Sequence, residues 1–359
     1  MSIVHVDAAS RSYDVLVDEL TLDDLGELCK RVSGGDTACV VSDTNVAPLY
    51  MARARASLEA AGYAVSEFVF EAGEPSKTLA TYGACINALA DAGLTRDSVV
   101  VALGGGVVGD LAGFAAATYM RGCHCVQVPT SLLSCVDSSV GGKTAVDLPA
   151  GKNLVGAFFQ PDAVLVDTAL LDTLPDHFFT DGCAEVLKYG VIADADLFAE
   201  LETPLVPRDQ RLADIIARCV AIKRDVVQTD EREKGLRQIL NFGHTLGHAL
   251  EKNSNFQLTH GFGVACGMVL MARACAARGL CSQEDLERLA GTVAAYGLPV
   301  ETDCTAEEVY AASLADKKRH GSTMNVVAMR GFGSVEVQKL PLEDYERLVS
   351  QALAAEGEC

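Results

Sequence analysis

Three of the seven histidines fall close together, in Asn241-Phe-Gly-His244-Thr-Leu-Gly-His248-Ala-Leu-Glu251 and then Leu258-Thr-His260. His244 and His248 are four apart, so on a helix they face the same way, a spacing that suits a divalent metal. A carboxylate from another helix, such as Glu185 in Ala184-Glu185-Val-Leu-Lys188, would complete such a site. Two helical histidines can instead simply pack and hydrogen-bond; the third histidine nearby favours metal. His5, His124, His177 and His320 keep the packing reading.

A second constellation is Gly104-Gly105-Gly106-Val107-Val108-Gly109-Asp110, which follows an apolar strand and opens a helix. Glycines let backbone N–H groups approach a pyrophosphate, and a helix N-terminus adds partial positive charge. Gly-rich turns between strand and helix also arise for packing, so both readings stand. No acidic residue ends a strand about 20 residues downstream, as the usual dinucleotide fingerprint has it. Asp43, at the end of an earlier strand, is the alternative ribose-binding acid.

Basic residues able to hold an anion are spread along the chain: Arg121, Lys143, Lys152, Lys188, Lys223, Arg237 and the pair Lys317-Lys318. Each alone reads as a solvated surface charge. Several stand beside Gly, Asn or Ser in non-periodic segments, as in Ser138-Ser-Val-Gly-Gly-Lys143 and Gly151-Lys152-Asn153, which favours a site. The net charge of −20 excludes nucleic acid and anionic membranes as partners, since both need a basic footprint. A phosphate substrate would therefore need a local basic cluster that overrides the global field.

Elements must hold these groups. At roughly 150 residues per domain, 359 residues suggest two domains, with a cleft between them. Ser2–Ala8 and Tyr13–Glu19 alternate as a β-hairpin. Strands Ala38–Asp43, Ala64–Phe70 and Ser98–Gly106 then alternate with helices over 46–61 and 79–91, which implies a parallel, doubly wound sheet. Beyond Pro175 long amphipathic stretches take over, at 182–201, 211–225, 236–252, 261–278 and 284–296. Strand signals return only at Met324–Arg330 and Ser334–Leu340, before a final helix over 342–353. Thirteen scattered cysteines in apolar segments read as buried free thiols of a reducing compartment. The Cys123-His124-Cys125 triplet lies in a strand-like run and reads as packing. The N-terminus does not read as a signal peptide, and no transmembrane run is evident, so a cytoplasmic location is expected.

Taken together, Gly73–Lys77 (GEPSK), Gly104–Asp110 (GGGVVGD), Tyr119–Gly122 (YMRG), Val128–Thr144 (VPTSLLSCVDSSVGGKT), Gly151–Pro161, Ala184–Gly190 (AEVLKYG), Gly235–Glu251 (GLRQILNFGHTLGHALE), Thr259–Gly261 and Asp316–Lys318 resemble the 3-dehydroquinate synthase family of sugar-phosphate cyclases. The motifs stand in the family's order from about Asp43 to Lys318. More distant relatives with the same architecture are the iron-dependent alcohol and glycerol dehydrogenases. The resemblance implies α/β plus all-α: a doubly wound, Rossmann-like NAD-binding domain over 1–175, then a mainly helical metal- and substrate-binding domain over 176–359, with the active site in the cleft. A homodimer acting on a small sugar phosphate is implied too.

Site residues follow from the same resemblance. Zn²⁺ or Co²⁺ would be held by Glu185, His244 and His260, which overrules the pairing of His244 with His248 and leaves His248 for the substrate. NAD would lie against Asp43, Asn45, Glu74, Lys77, Gly105, Gly106, Val107, Asp110, Thr130, Ser131, Lys152, Thr173 and Leu174. Lys143, Asn153, Asn241 and a second subunit's Arg121 would grip the phosphate, and Lys223 with Arg237 the carboxylate. Asp137, Lys188, His248 and one lysine of the pair, Lys317, would complete the substrate set. The implied reaction oxidises C5 of 3-deoxy-D-arabino-heptulosonate 7-phosphate transiently, expels phosphate, restores the alcohol and closes the ring by an aldol step. Phe262 departs from the family pattern, which has an acidic residue there, so the acidic partner of the ligand histidine is missing or supplied elsewhere. Ser131 replaces a usual Thr and keeps the hydroxyl. The rivals are a cyclase of secondary metabolism, a polyol dehydrogenase using free NAD, and an inactive protein of the same fold.

Overall fold

The computed structural model describes residues 1–19, 21–255, 257–314 and 322–354, with the backbone of 319 and 320. Lys317, Lys318 and the side chain of His320 fall outside that set. The chain forms two compact units, Met1–Pro175 with Pro207–Arg232, and Asp176–Val206 with Glu233–Cys359.

In the first unit, β1 (Ser2–Ala8) pairs antiparallel with β2 (Arg11–Asp18), as the alternation requires. After α1 (Leu25–Val32) come β3 (Thr37–Asp43), α2 (Ala47–Ala60), β4 (Ala64–Phe70), α3 (Leu79–Asp91), β5 (Val99–Gly104), α4 (Gly106–Thr118) and β6 (His124–Pro129). A two-stranded ribbon follows, β7 (Lys143–Leu148) and β8 (Gly151–Phe158), and then β9 (Ala163–Asp167). Seven strands form one sheet in the order β1-β2-β9-β6-β5-β3-β4, parallel except for the edge strand β1.

Both faces of that sheet are apolar because successive residues point opposite ways. Ala38, Val40, Val99, Val101 and Leu103 face α1 and α2, with Leu25, Leu28, Met51, Ala54 and Leu58. Cys39, Val41, Val100 and Ala102 face α3 and α4, with Cys85, Leu89, Leu111 and Ala112. Cys123 and Cys125 are buried on this second side, as packing residues. Among the described residues every cysteine is a free thiol.

The later helices are α5 (Asp176–Ala193), α6 (Ala195–Leu201), α7 (Leu212–Thr229), α8 (His244–Asn253), α9 (His260–Ala277), α10 (Gln283–Ala295) and α11 (Ala306–Ser313). An antiparallel sheet of β10 (Arg319–His320), β11 (Thr323–Gly331) and β12 (Ser334–Pro341) precedes α12 (Leu342–Leu353). The stretch read as one helix over 182–201 is two, because Asp194 leaves helical geometry and caps α6 through the Leu197 N–H at 2.8 Å. The one read over 236–252 breaks at Gly243 into a 3₁₀ turn, Leu236–Asn241, and α8.

Helix α7 departs from the division at Pro175. Its apolar stripe, Leu212, Ile215, Ile216, Cys219, Val220, Val226 and Val227, is buried. It packs with β1, β2 and the turn Ser134–Ser138, so Pro207–Arg232 belongs with the first unit rather than the second. By length and composition α9 could cross a membrane, but 72% of it is buried by the protein. It is the central helix of the second unit, against α5, α8, α10 and α12.

Candidate active site

In the second unit, His244 and His260 are each the first residue of a helix, α8 and α9. Gly243, at φ +78°, makes the bend that starts α8 where it does. The two helices touch backbone to backbone. A Cβ on Gly267 would lie 2.1 Å from the Gly243 carbonyl oxygen, and one on Gly247 would lie 2.7 Å from that of Gly263. This approach brings the two imidazole rings to 5.2 Å between centroids.

Glu185, fully buried on α5, completes the group: its Oε1 is 3.4 Å from Nε2 of His244 and 3.4 Å from Nε2 of His260. Ligand bonds of about 2.0–2.2 Å in a tetrahedron put donor atoms roughly 3.3–3.6 Å apart, so this spacing fits an ion among the three. Two imidazole nitrogens and one carboxylate suit Zn²⁺ or Co²⁺ better than Mg²⁺ or Ca²⁺. The Nδ1 of His244 meets the Phe242 carbonyl at 3.1 Å, which turns Nε2 toward Glu185. Lys188, itself buried, donates to the other Glu185 oxygen, Oε2.

Burial lowers the pKa of the His260 imidazole, but hydrogen bonds and charge from Glu185 and Glu251 outweigh it and raise the value to about 10. His248 is exposed, with its ring 5.4 Å from His244 and 5.7 Å from His260. Among the described residues no candidate donor set joins His244 with His248; a second set takes His248, Glu251 and His260. Near this centre the buried Arg237 and the half-buried Asn241 lie on the 3₁₀ turn, and the Asn241 amide donates to Glu233 at 2.6 Å.

The first unit gathers the other residues at one edge of its sheet. Asp43 and Asn45 follow β3, Glu74 and Lys77 follow β4, Gly105 to Asp110 follow β5, Thr130 and Ser131 follow β6, and Thr173 and Leu174 follow β9. All five strands are parallel, so these are their carboxyl ends. The strand order reverses between β3 and β5, the place where open α/β sheets bind ligands. That topology sets Asp43, at the end of β3, beside the glycine loop that follows β5. Asp43 Oδ1 accepts the N–H groups of Asn45 and Val46 at 2.9 Å, shaping the turn into α2.

The glycine loop has both tightly packed and less crowded positions. A Cβ on Gly104 would meet Val108 at 2.5 Å and one on Gly109 would meet Gln127 at 2.9 Å, whereas Gly105 has Ser131 Oγ no nearer than 3.6 Å. No side chain caps the start of α4. At Gly105 an added Cβ would meet only the Ser131 side chain, in ordinary contact, and the uncapped N–H groups of the helix start suit a pyrophosphate.

Lys77 ties this edge to the β7–β8 ribbon. The buried ammonium donates to Asn153 Oδ1 at 2.7 Å and pairs with Asp110 Oδ2 at 2.7 Å. Burial lowers its pKa, but Asp110, Glu74 and Asp147 raise it on balance and keep it charged. Asn153 is held at φ +54°, with its own N–H on Asp147 Oδ1 at 2.6 Å. Lys152 neighbours it on β8, and Lys143 is exposed at the start of β7. Lys223, buried on α7, donates to the backbone and carboxylate oxygens of Asp137, both at 2.6 Å. Asp137 lies in a π-helical turn, a geometry frequent at functional sites. Arg121 is exposed, and it, Met120 and Gly122 all have positive φ, a strained tip of the kind that persists where it has a task.

Three residues escaped the sequence reading. Glu251, two turns along α8 from His244, accepts from His260 Nδ1 at 3.1 Å. Asp181 Oδ1 accepts the N–H groups of Gly261 and Phe262 at 2.8 and 3.3 Å and so anchors the start of α9. Glu233 holds Asn241. The seven-residue spacing from His244 places Glu251 on the ligand face of α8, a signal present in the sequence.

Residues 67–181 match the family model described as 3-dehydroquinate synthase N-terminal, and residues 182–319 the one described as 3-dehydroquinate synthase C-terminal. A 3-dehydroquinate synthase of Geobacter sp. (strain M21) is 46% identical over 343 residues, covering 94% of this chain and 95% of that protein. Among solved structures, a 2-deoxy-scyllo-inosose synthase complexed with carbaglucose-6-phosphate, NAD+ and Co2+ superposes with a TM-score of 0.86 at 25% identity, over 98% of this chain and 100% of the other. The 2-epi-5-epi-valiolone synthase of Streptomyces hygroscopicus subsp. jinggangensis 5008, with NAD+ and Zn2+ bound, gives 0.86 at 27% identity, over 95% and 96%. With both halves matched and near-complete coverage at 46% identity, this chain belongs to the 3-dehydroquinate synthase family.

Proposed function

We propose that the chain is a lyase that converts 3-deoxy-D-arabino-heptulosonate 7-phosphate to 3-dehydroquinate and phosphate, a cytoplasmic step toward aromatic amino acids by the shikimate pathway. The observation that carries this reading is the group of buried Glu185, buried His244 and half-buried His260, with each imidazole Nε2 3.4 Å from Glu185 Oε1, in a chain of this family. NAD would be held at the carboxyl edge of the sheet by Asp43, Asn45, Glu74, Lys77, Gly105, Gly106, Val107, Asp110, Thr130, Ser131, Lys152, Thr173 and Leu174. When bound, NAD would supply a hydride acceptor and donor for C5 and the divalent ion a Lewis acid for the alcohol and ketone, so that no net oxidation would result.

The chain's own residues do the rest. Lys143, Asn153 and Asn241 grip the phosphate, with Arg121 reaching across from a second copy in a homodimer; its exposed, strained tip supports that role. Lys223 and Arg237 take the carboxylate by charge-assisted hydrogen bonds. Both are buried, and buried cations are retained where they meet an anion. Asp137 orients Lys223, Lys188 steadies the Glu185 carboxylate, and His248, exposed on the ligand helix, is left for the substrate with Lys317.

Phosphate release tests the reading. Metal-loaded enzyme with catalytic NAD⁺ should release phosphate from the heptulosonate and accumulate no NADH at steady state. Turnover of glucose 6-phosphate or sedoheptulose 7-phosphate in its place would make the chain a different cyclase. NADH in step with substrate consumed would make it a dehydrogenase.

A further inference from the structure

We propose that Glu251 is the positioning carboxylate of the metal centre: it holds the His260 imidazole by Nδ1 so that Nε2 faces Glu185 and His244. The inference rests on the ligand set Glu185, His244 and His260. Four observations converge on it. Glu251 Oε1 lies 3.1 Å from His260 Nδ1, while Nε2 of the same ring lies 3.4 Å from Glu185, so one ring is addressed from both sides. Glu251 is only 3% exposed, and a carboxylate is costly to bury without a dedicated partner. It also stands in the last turns of α8, the end of a helix where negative charge is disfavoured, so neither solvation nor the helix dipole accounts for it.

The fourth observation concerns space and alternatives. A Cβ on Gly263 would come within 3.0 Å of Glu251 Cγ, so the glycine leaves the room through which the side chain reaches His260. Phe262, the residue nearest in sequence that could have carried an acid, is turned onto the His177 ring at 4.8 Å and offers no acceptor. A carboxylate on Nδ1 fixes the tautomer and rotation of a ligand imidazole and raises its basicity. Glu251 acts through His260, and the set of His248, Glu251 and His260 is then a by-product of this contact rather than a second ion site.

The test uses the full chain and Zn²⁺ affinity by chelator competition, with the Co²⁺ absorption spectrum as a report on coordination. Glu251→Gln keeps an acceptor for Nδ1–H, and should retain one ion per chain and the parental Co²⁺ spectrum with at most about a 10-fold loss of affinity. Glu251→Leu removes the acceptor and should weaken Zn²⁺ by about 10- to 100-fold, the range measured for such outer partners. Parental affinity in Glu251→Leu, with His244→Ala impaired, would overturn this inference alone. Complete loss of the ion in Glu251→Gln would make Glu251 a ligand and overturn it too. An unimpaired His244→Ala would sink the ligand set itself. Should Glu251→Leu fail to fold, a changed Co²⁺ spectrum in Glu251→Gln is the result that overturns the proposal.

Discussion

Replacing His260 with alanine is expected to abolish binding of the divalent ion, while His248→Ala largely spares it. Both residues lie close to His244, and along one helix His248 is the better-spaced partner. The distances reverse that preference. Nε2 of His260 and Nε2 of His244 are each 3.4 Å from the same buried carboxylate oxygen of Glu185, and His248 belongs to no candidate donor set with either His244 or Glu185. Removing His260 leaves two donors, one of them a buried anion, whereas removing His248 leaves all three in place. Elemental analysis after gel filtration checks this. His260→Ala should carry no stoichiometric ion and should lose phosphate release by more than about 100-fold, beyond the effect of losing an outer partner. His248→Ala should keep its ion and fail, if at all, in turnover. An ion retained by His260→Ala and lost by His248→Ala would restore the pairing along α8.

That contrast marks how far the sequence could be read. Short apolar runs, ended by Asp43-Thr44-Asn45 in one case and by glycines in the other, announced β3 and β5, and α2 and α3 were read as the helices between strands, because these signals are local. The ribbon β7–β8 was not legible: its apolar alternation is cut by Gly151, Gly156 and polar Lys152-Asn153, and its pairing shifts register between Val146 and Leu148. Helix α1 went unread although Leu25, Leu28, Cys29 and Val32 recur at helical spacing, because two turns give a short signal; α11, also of eight residues, is as short. The apolar stripe of α7 was plain, but a stripe does not name the surface it covers, and this one returns to β1 and β2.

The site divides along the same line. The glycine loop and the histidines stood out by composition, and the family pattern supplied their roles. Asp43 stands beside that loop because β3 and β5 are neighbours across the reversal of strand order, a fact of pairing and not of spacing. Glu251 and Asp181 act on His260 and on the start of its helix from nine and about eighty residues away. Such contacts exist only once helices have chosen their packing distance, and glycines set that distance here.

Gly267→Ala should therefore damage fold and metal site together. The added Cβ would lie 2.1 Å from the Gly243 carbonyl oxygen and 2.7 Å from the Gly247 nitrogen. Both are backbone atoms, with no rotamer to yield, so α8 and α9 must separate. Overpacking of this kind costs typically 1–3 kcal/mol and occasionally more, and rigid backbone on both sides places this case at about 3 kcal/mol. At roughly 2–4 °C per kcal/mol for a unit of this size, the melting temperature should fall by about 6–12 °C. Separation also moves His244 away from His260, since each heads one of the parting helices, so Zn²⁺ affinity should fall with Glu185, His244, His260 and Glu251 all intact. Gly291→Ala is the control: it lies within α10 with nothing inside 4 Å of its added Cβ, and should leave Zn²⁺ affinity unchanged while stabilising the fold by about 0.4–1 kcal/mol. A Gly267→Ala protein that melts with the parent and binds Zn²⁺ as tightly would mean that the contact of α8 with α9 does not set the spacing of the two histidines.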